Sequence, residues 1–196
     1  MERIVRADTA VLLWLNGWVG RLEWVDVAAR FIVNDYLVPA VLALLLLGMW
    51  VAPRDRNTRT HYQRAVLTSL TGMGLANLAV LTINQLVVRA RPFLEQEIEL
   101  LFYRPTDSSF PANPVVVGCA LALGIWTGNR LLGAIALGLA LLWGLARVYA
   151  GVSYPSDVLA GAFIGAGVAG LVMLTLRRVE PARTFVLRIA QRIHLA

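Results

Sequence analysis

The chain has 196 residues, of which 58% are hydrophobic and 15% charged, and its net charge is +6. A soluble domain carries roughly 25% charged residues, and one this small could not hide so much apolar surface. The same balance excludes intrinsic disorder, and 16 glycines with a single cysteine exclude a collagen-like or disulfide-rich scaffold. A polytopic membrane protein remains.

The start, MERIVRADTA, carries acidic residues and a short apolar stretch, so no cleavable signal peptide is expected. Thr9 to Gly20 is too short to span comfortably. It places Trp14 and Trp18 on one helical face and reads as an interfacial or partly embedded helix. A bilayer core of about 30 Å takes about 20 helical residues. Five uncharged runs approach that length. They are Tyr36 to Ala52 (with a Phe31–Val33 lead-in), Ala65 to Val88, Phe110 to Asn129, the shorter Leu131 to Ala146, and Val158 to Leu176. Arg177 to Ala196 alternates Arg with Val, Leu and Ile, which predicts an amphipathic surface helix. The expected fold is an all-α membrane bundle of about five transmembrane helices with interfacial helices at both ends. It forms one domain over residues 1–196: an N-terminal region (1–30), the bundle (31–176) and a tail (177–196).

All 18 basic residues are Arg. They lie mainly between apolar runs, which fits membrane topology better than nucleic-acid binding. Arg54, Arg56, Arg59 and Arg64 after the first run, Arg130, and the Arg-rich tail share one side, expected to be cytoplasmic in an inner membrane. The segments 89–109 and 147–157 then share the extracytoplasmic side. Gly161, Gly165, Gly167 and Gly170 in the last run predict close packing within the bundle rather than a dimer motif. Trp24, Trp50, Trp126 and Trp143 read as interfacial anchors. Cys119, Met49, Met73 and Met173 read as packing residues. Glu95, Glu97 and Glu99 read as a solvated loop rather than a cation site. No metal, nucleotide or haem motif is present, so no cofactor is expected.

Three segments collect polar residues on the expected outer side: Asn84–Phe93, Asp107–Pro114 and Ala146–Asp157. Arg91, Arg147 and Asp157 stand at span ends, where an ionisable group is costly unless paired or functional. Two guanidiniums facing one cavity would suit a phosphate, whose oxygens the planar fork bonds in pairs. An Arg–Asp pair pinning helix ends together suits the same residues.

At these residues the chain resembles the type 2 phosphatidic acid phosphatase and vanadium haloperoxidase superfamily, most closely its bacterial undecaprenyl-diphosphate phosphatases. "RARPF", "DSSFP" and "ARVYAGVSYPSDVLAG" match that branch in order and spacing, and "LNGWVGRLEWVD" resembles its usual start. The resemblance implies a membrane site for phosphoryl transfer that uses one imidazole as nucleophile and a second as general acid. The departures fall on those groups. Asn84 stands at the phosphate-binding Lys position, and Ala112, Asn113 and Pro114 replace the second block's Ser, Gly or Asp, and His. Ser153 replaces the nucleophilic His. Arg91, Arg147 and Asp157 are kept. The remaining histidines, His61 and His194, are expected across the bilayer.

These replacements imply a preserved scaffold with an altered cavity. Asn113 and Pro114 are expected as N-cap and first residue of a helix, and Tyr154 and Ser156 as shapers of the third-block turn. Asp157, relieved of a histidine, is expected to neutralise Arg91 and Arg147 in part. The preferred function is a catalytically inactive relative. It would hold an anionic lipid phosphate through Arg91, Arg147, Asn84 and Asn113, or serve as a subunit beside another membrane protein. The alternative is a lipid (di)phosphate phosphatase with an unconventional nucleophile at Ser153. A lipid transporter is not favoured, since neither an inverted repeat nor a broken helix is evident.

Overall fold

The computed structural model describes residues 2–178. The expected tail helix, after its first two residues, and His194 lie outside them. The helices in order are α1 (Glu2–Asn16), α2 (Glu23–Val33), α3 (Leu37–Val51), α4 (Arg56–Leu86), α5 (Pro92–Glu95), α6 (Asn113–Trp126), α7 (Arg130–Tyr149) and α8 (Pro155–Arg178).

Local chemistry sets these boundaries. Asp55 precedes α4 and its carboxylate accepts the Thr58 amide at 2.8 Å; that bond holds it below the usual carboxylate range. The cap starts α4 well before the apolar run, so Arg56, Arg59 and Arg64 occupy its first turns rather than a loop. Hydropathy finds only the apolar part of a helix, whereas Arg propagates a helix well once it is capped. Asn129 caps α7 in the same way, accepting from Leu132 N at 3.1 Å.

α4, α7 and α8 are long and apolar enough to cross a membrane. α2 and α3, bent by 56° across a short break, can together make a fourth span. The bend arises at Asn34, whose side-chain oxygen accepts from Tyr36 N at 2.9 Å and turns the chain. The sequence shows no broken helix; the structure has this one, and Asp35 sits in it. α6 has 14 residues, about 21 Å at 1.5 Å per residue, short of a bilayer core. The expected run from Phe110 to Asn129 is therefore an irregular entry followed by a short helix.

α6 is apolar on every side and is buried accordingly, packed against α4, α7 and α8. One core joins Leu42, Leu46, Val66, Leu121, Ile125 and Ala136; another joins Ala76, Val80, Val116, Ala120 and Ala169. Met49 and Cys119 are buried, and Met73 and Met173 are partly buried against these cores, as expected of packing residues. Trp24 and Trp126 are exposed. Trp143 is not an anchor. It is 5% exposed and donates to Val33 O at 3.4 Å, because it shares the inward face of α7 with Ala136 and Ala140.

The glycines of α8 divide by face. A methyl on Gly165 would lie 2.3 Å from Val116 O, and one on Gly161 2.9 Å from Ala112 O, both backbone atoms of the second block and α6. Gly167 and Gly170 have nothing within 4 Å. The small residues at 161 and 165 thus let α8 approach α6 within one bundle. Gly165→Ala is expected to cost about 1–3 kcal/mol through overpacking, whereas Gly170→Ala should be neutral or gain up to about 1 kcal/mol. Thermal unfolding in detergent separates the two; equal shifts would remove this role for Gly165.

Candidate functional site

The third block is folded by the end of α7 and the start of α8. Gly151 has φ +75°, the left-handed conformation that ends a helix, and the Gly151 and Val152 amides donate back to Val148 O (3.0 Å) and Arg147 O (2.9 Å). This reversal carries Val152 and Ser153 back beside the last turn of α7. Pro155 opens α8, and Asp157, in its first turn, accepts from Tyr154 N at 3.2 Å. The Ala112 amide donates to Asp157 O at 3.1 Å and ties the second block to the third. α6 begins one residue earlier than expected. Ala112 is the N-cap and Asn113 the first helical residue, so the Asn113 side chain does not cap, and its Oδ1 is buried without a partner.

The three blocks meet around one cavity of about 390 Å³. Arg91, Ala112, Asn113, Pro114, Arg147 and Ser153 line it. Asn84 does not; α4 contributes Asn77 instead. Asn84 Oδ1 is buried and unpartnered. Asp35 and Asp107 also line the cavity, and neither was singled out from the sequence.

Each cavity arginine has an acid. Arg91, 5% exposed, donates to Asp107 Oδ1 at 2.8 Å, to Asp107 O at 3.0 Å and to Val152 O at 2.9 Å. Arg147, 4% exposed, donates to Asp35 Oδ1 at 3.0 Å and lies over the Phe102 ring. Tyr103 donates its hydroxyl to Asp35 Oδ2 at 2.8 Å, and that bond, with some burial, raises its pKa above the ordinary value. The neutralising acids are therefore Asp107 and Asp35, and not Asp157 as expected.

Asp157 belongs to a network behind the cavity. Fully buried, it accepts from Arg89 Nη1 at 2.5 Å and from Ser109 Oγ at 2.5 Å. Arg89 also pairs with Asp8 of α1 at 2.7 Å and lies over the Tyr154 ring. Burial alone would push the Arg89 guanidinium down, but Asp8 and Asp157 outweigh it and hold it above its ordinary value. Asp8 in turn accepts from Ser156 N at 2.8 Å and Ser156 Oγ at 2.6 Å. Asn16, at the end of α1, donates to Glu99 O and Tyr149 O at 2.8 and 2.9 Å. α1 is thus tied to this network at Asp8, in its middle, and to the Glu99 loop and the end of α7 at Asn16. An acid reaching Arg89 from 81 residues away carries no local signal in the sequence.

The chemistry available is limited. Ser153 Oγ is buried and makes no hydrogen bond, so Asp157 does not activate it. No imidazole lines the cavity among the described residues. His61 bonds Gly128 O near the start of α4, about 37 Å of helix from Leu86. No group of three His, Cys, Asp or Glu side chains suited to a metal occurs among the described residues. Glu95 instead accepts from the Tyr154 hydroxyl at 2.9 Å; burial and that bond push Tyr154 up to about 12. Three buried polar atoms of cavity residues remain unpartnered: Arg147 Nε, Ser153 Oγ and Asn113 Oδ1.

Comparison with known proteins places this geometry. The chain is 28% identical over 140 residues to the Bacillus subtilis undecaprenyl-diphosphatase BcrC, covering 71% of this chain and 69% of that one. It is 27% identical over 152 residues to the Escherichia coli putative undecaprenyl-diphosphatase YbjG, covering 77% and 73%. Among solved structures, a PAP2-type phosphatidylglycerolphosphate phosphatase from Bacillus subtilis superposes with a TM-score of 0.67 at 21% identity, covering 91% of this chain and 89% of that one. Aquifex aeolicus LpxE superposes with a TM-score of 0.62 at 22% identity, covering 84% and 93%. The PAP2 superfamily model matches residues 65–180, which hold all three blocks and more than half of the sequence, and the chain belongs to that superfamily.

Proposed function

We propose that this chain is a PAP2-superfamily membrane protein that holds the phosphate of a lipid without hydrolysing it. The observation that carries this reading is the composition of the cavity wall. Arg91 and Arg147, which the resemblance assigns to phosphate, line the cavity, and so do Pro114 and Ser153, which the resemblance sets at the two catalytic histidine positions. The unpartnered Arg147 Nε and Ser153 Oγ offer hydrogen-bond donors to an anion. The reading with Ser153 as nucleophile lacks a base, since Asp157 is held by Arg89 and Ser109. The subunit reading rests on a tail outside the described residues. Arg56, Arg59, Arg64 and Arg130 lie together at the end away from the site, so the arginine bias supports a site on the extracytoplasmic side.

The test measures phosphate release from undecaprenyl diphosphate and phosphatidic acid across a wide pH range, together with phospholipid binding, on the purified full chain. Release is expected at the protein-free background. Arg91→Ala with Arg147→Ala is expected to weaken phospholipid binding at least tenfold. Release above background that Ser153→Ala abolishes, or binding indifferent to the arginines, would overturn the reading.

A further inference from the structure

Resting on that reading, we infer that the cavity selects a zwitterionic lipid headgroup, a phosphodiester joined to a primary ammonium, over a purely anionic phosphate. The argument is charge matching. Four ionised side chains line the cavity, Arg91 and Arg147 against Asp35 and Asp107, so its formal charge is zero. The arginines are buried at 5% and 4%, whereas the acid side chains are 57% exposed at Asp107 and 37% at Asp35. Positive charge sits deep and negative charge lies toward the mouth.

A purely anionic phosphate that took the Nη groups of Arg91 and Arg147 would displace both carboxylates, leaving Asp107 without its cation and Asp35 with only the Tyr103 hydroxyl, beside another anion. Like charges held close together repel, and each carboxylate then loses the cation it was paired with. A headgroup with its own ammonium removes that cost. Its phosphate oxygens take the donors of Arg91 and Arg147 with Ser153 Oγ, and its N–H groups take the released carboxylates of Asp35 and Asp107. Two further observations support a ligand that donates as well as accepts. Asn113 Oδ1 is a buried acceptor without a donor, on a residue lining the same cavity. Tyr103, 59% exposed, lines the same cavity beside Asp35, and an aromatic ring attracts a cation. The volume of about 390 Å³ falls within the range of small-ligand sites.

Native mass spectrometry of the full chain in detergent tests this with phosphatidylethanolamine and phosphatidic acid of identical acyl chains. Phosphatidylethanolamine is expected to bind at least fivefold tighter. Asp35→Asn with Asp107→Asn, isosteric changes, should reverse the order, and Arg147→Ala should weaken both lipids. Phosphatidic acid preferred by the unaltered chain overturns the headgroup assignment and leaves lipid-phosphate binding standing. Absence of adducts with either lipid overturns both. Soluble phosphoethanolamine is run alongside; binding of it alone assigns the site to a free phosphoamine and overturns the lipid form of the proposal. If the double variant does not fold, the preference of the unaltered chain still decides.

Discussion

Replacing Arg89 with methionine is expected to destabilise the protein by about 3 kcal/mol, more than any other single change at the site. The reason is what stays behind. Asp157 is fully buried and Asp8 is 6% exposed, and both lose their shared cation. Removing one partner of a buried ion pair costs about 3–5 kcal/mol, because the other charge is left uncompensated. The lower end applies because Arg89 keeps about a quarter of its side chain exposed, and because Ser109, Tyr154 N and Ser156 still donate to the two carboxylates. For a chain of this length the loss corresponds to a fall in Tm of about 6–12 °C. Arg89→Met with Asp157→Asn should recover much of it. The amide carries no charge, and its oxygen can still accept from Ser109 Oγ and Tyr154 N. A double variant as unstable as Arg89→Met alone, or a single variant within about 1 kcal/mol of the parent, would show that the network does not anchor α1 to the site.

The Arg89 network separates what the sequence reveals from what it conceals. Membrane class, helix order and the three blocks were legible because each depends on local composition or on short spacings. Arg147 and Ser153 face one cavity because Gly151 reverses the chain after α7, and a small-residue turn of that kind is visible in the sequence. The acids that neutralise the site were not legible. Asp35 pairs with Arg147 across 112 residues and Asp8 with Arg89 across 81, so only the packed bundle brings them together. Asp157 lies away from the expected cavity arginines for a related reason. Its family role suggested that it faces the cavity arginines, but Arg89, two residues before Arg91, reaches it first. The length of α4 and the bend before α3 depend on the Asp55 cap and the Asn34 turn, which a hydropathy window does not weigh.

Of the positions that the resemblance marks as changed, Ala112, Asn113, Pro114 and Ser153 line the cavity and Asn84 does not, while the turn at Gly151, the Asp157 link to the second block and the α6–α8 packing at Gly165 lie around it. The groups that the resemblance assigns to bond cleavage are replaced, and the groups that place them remain.

On the non-hydrolytic reading, restoring those groups should restore chemistry. Ala112→Ser, Pro114→His and Ser153→His, made together, are expected to raise phosphate release from undecaprenyl diphosphate by about 100-fold over the unaltered chain. Each change alone should stay within about threefold of background. The asymmetry follows from how catalytic groups cooperate. A nucleophile without a leaving-group acid, or the reverse, gains little, and the members of such a unit are strongly non-additive. General acid–base catalysis contributes about 10²–10⁴-fold once the partners are placed. All three positions line the cavity: Pro114 lies in the first turn of α6, where any residue fits the backbone, and Ser153 lies in the turn before α8, four residues before Asp157. Adding Asp35→Asn should raise the rate further by freeing Arg147 for phosphate. A triple variant that folds, binds lipid phosphate and still releases none would locate the inactivity in Asp35, Asp107 and Arg89 rather than in the missing imidazoles. An unaltered chain already as fast as the triple variant would sink the non-hydrolytic reading outright.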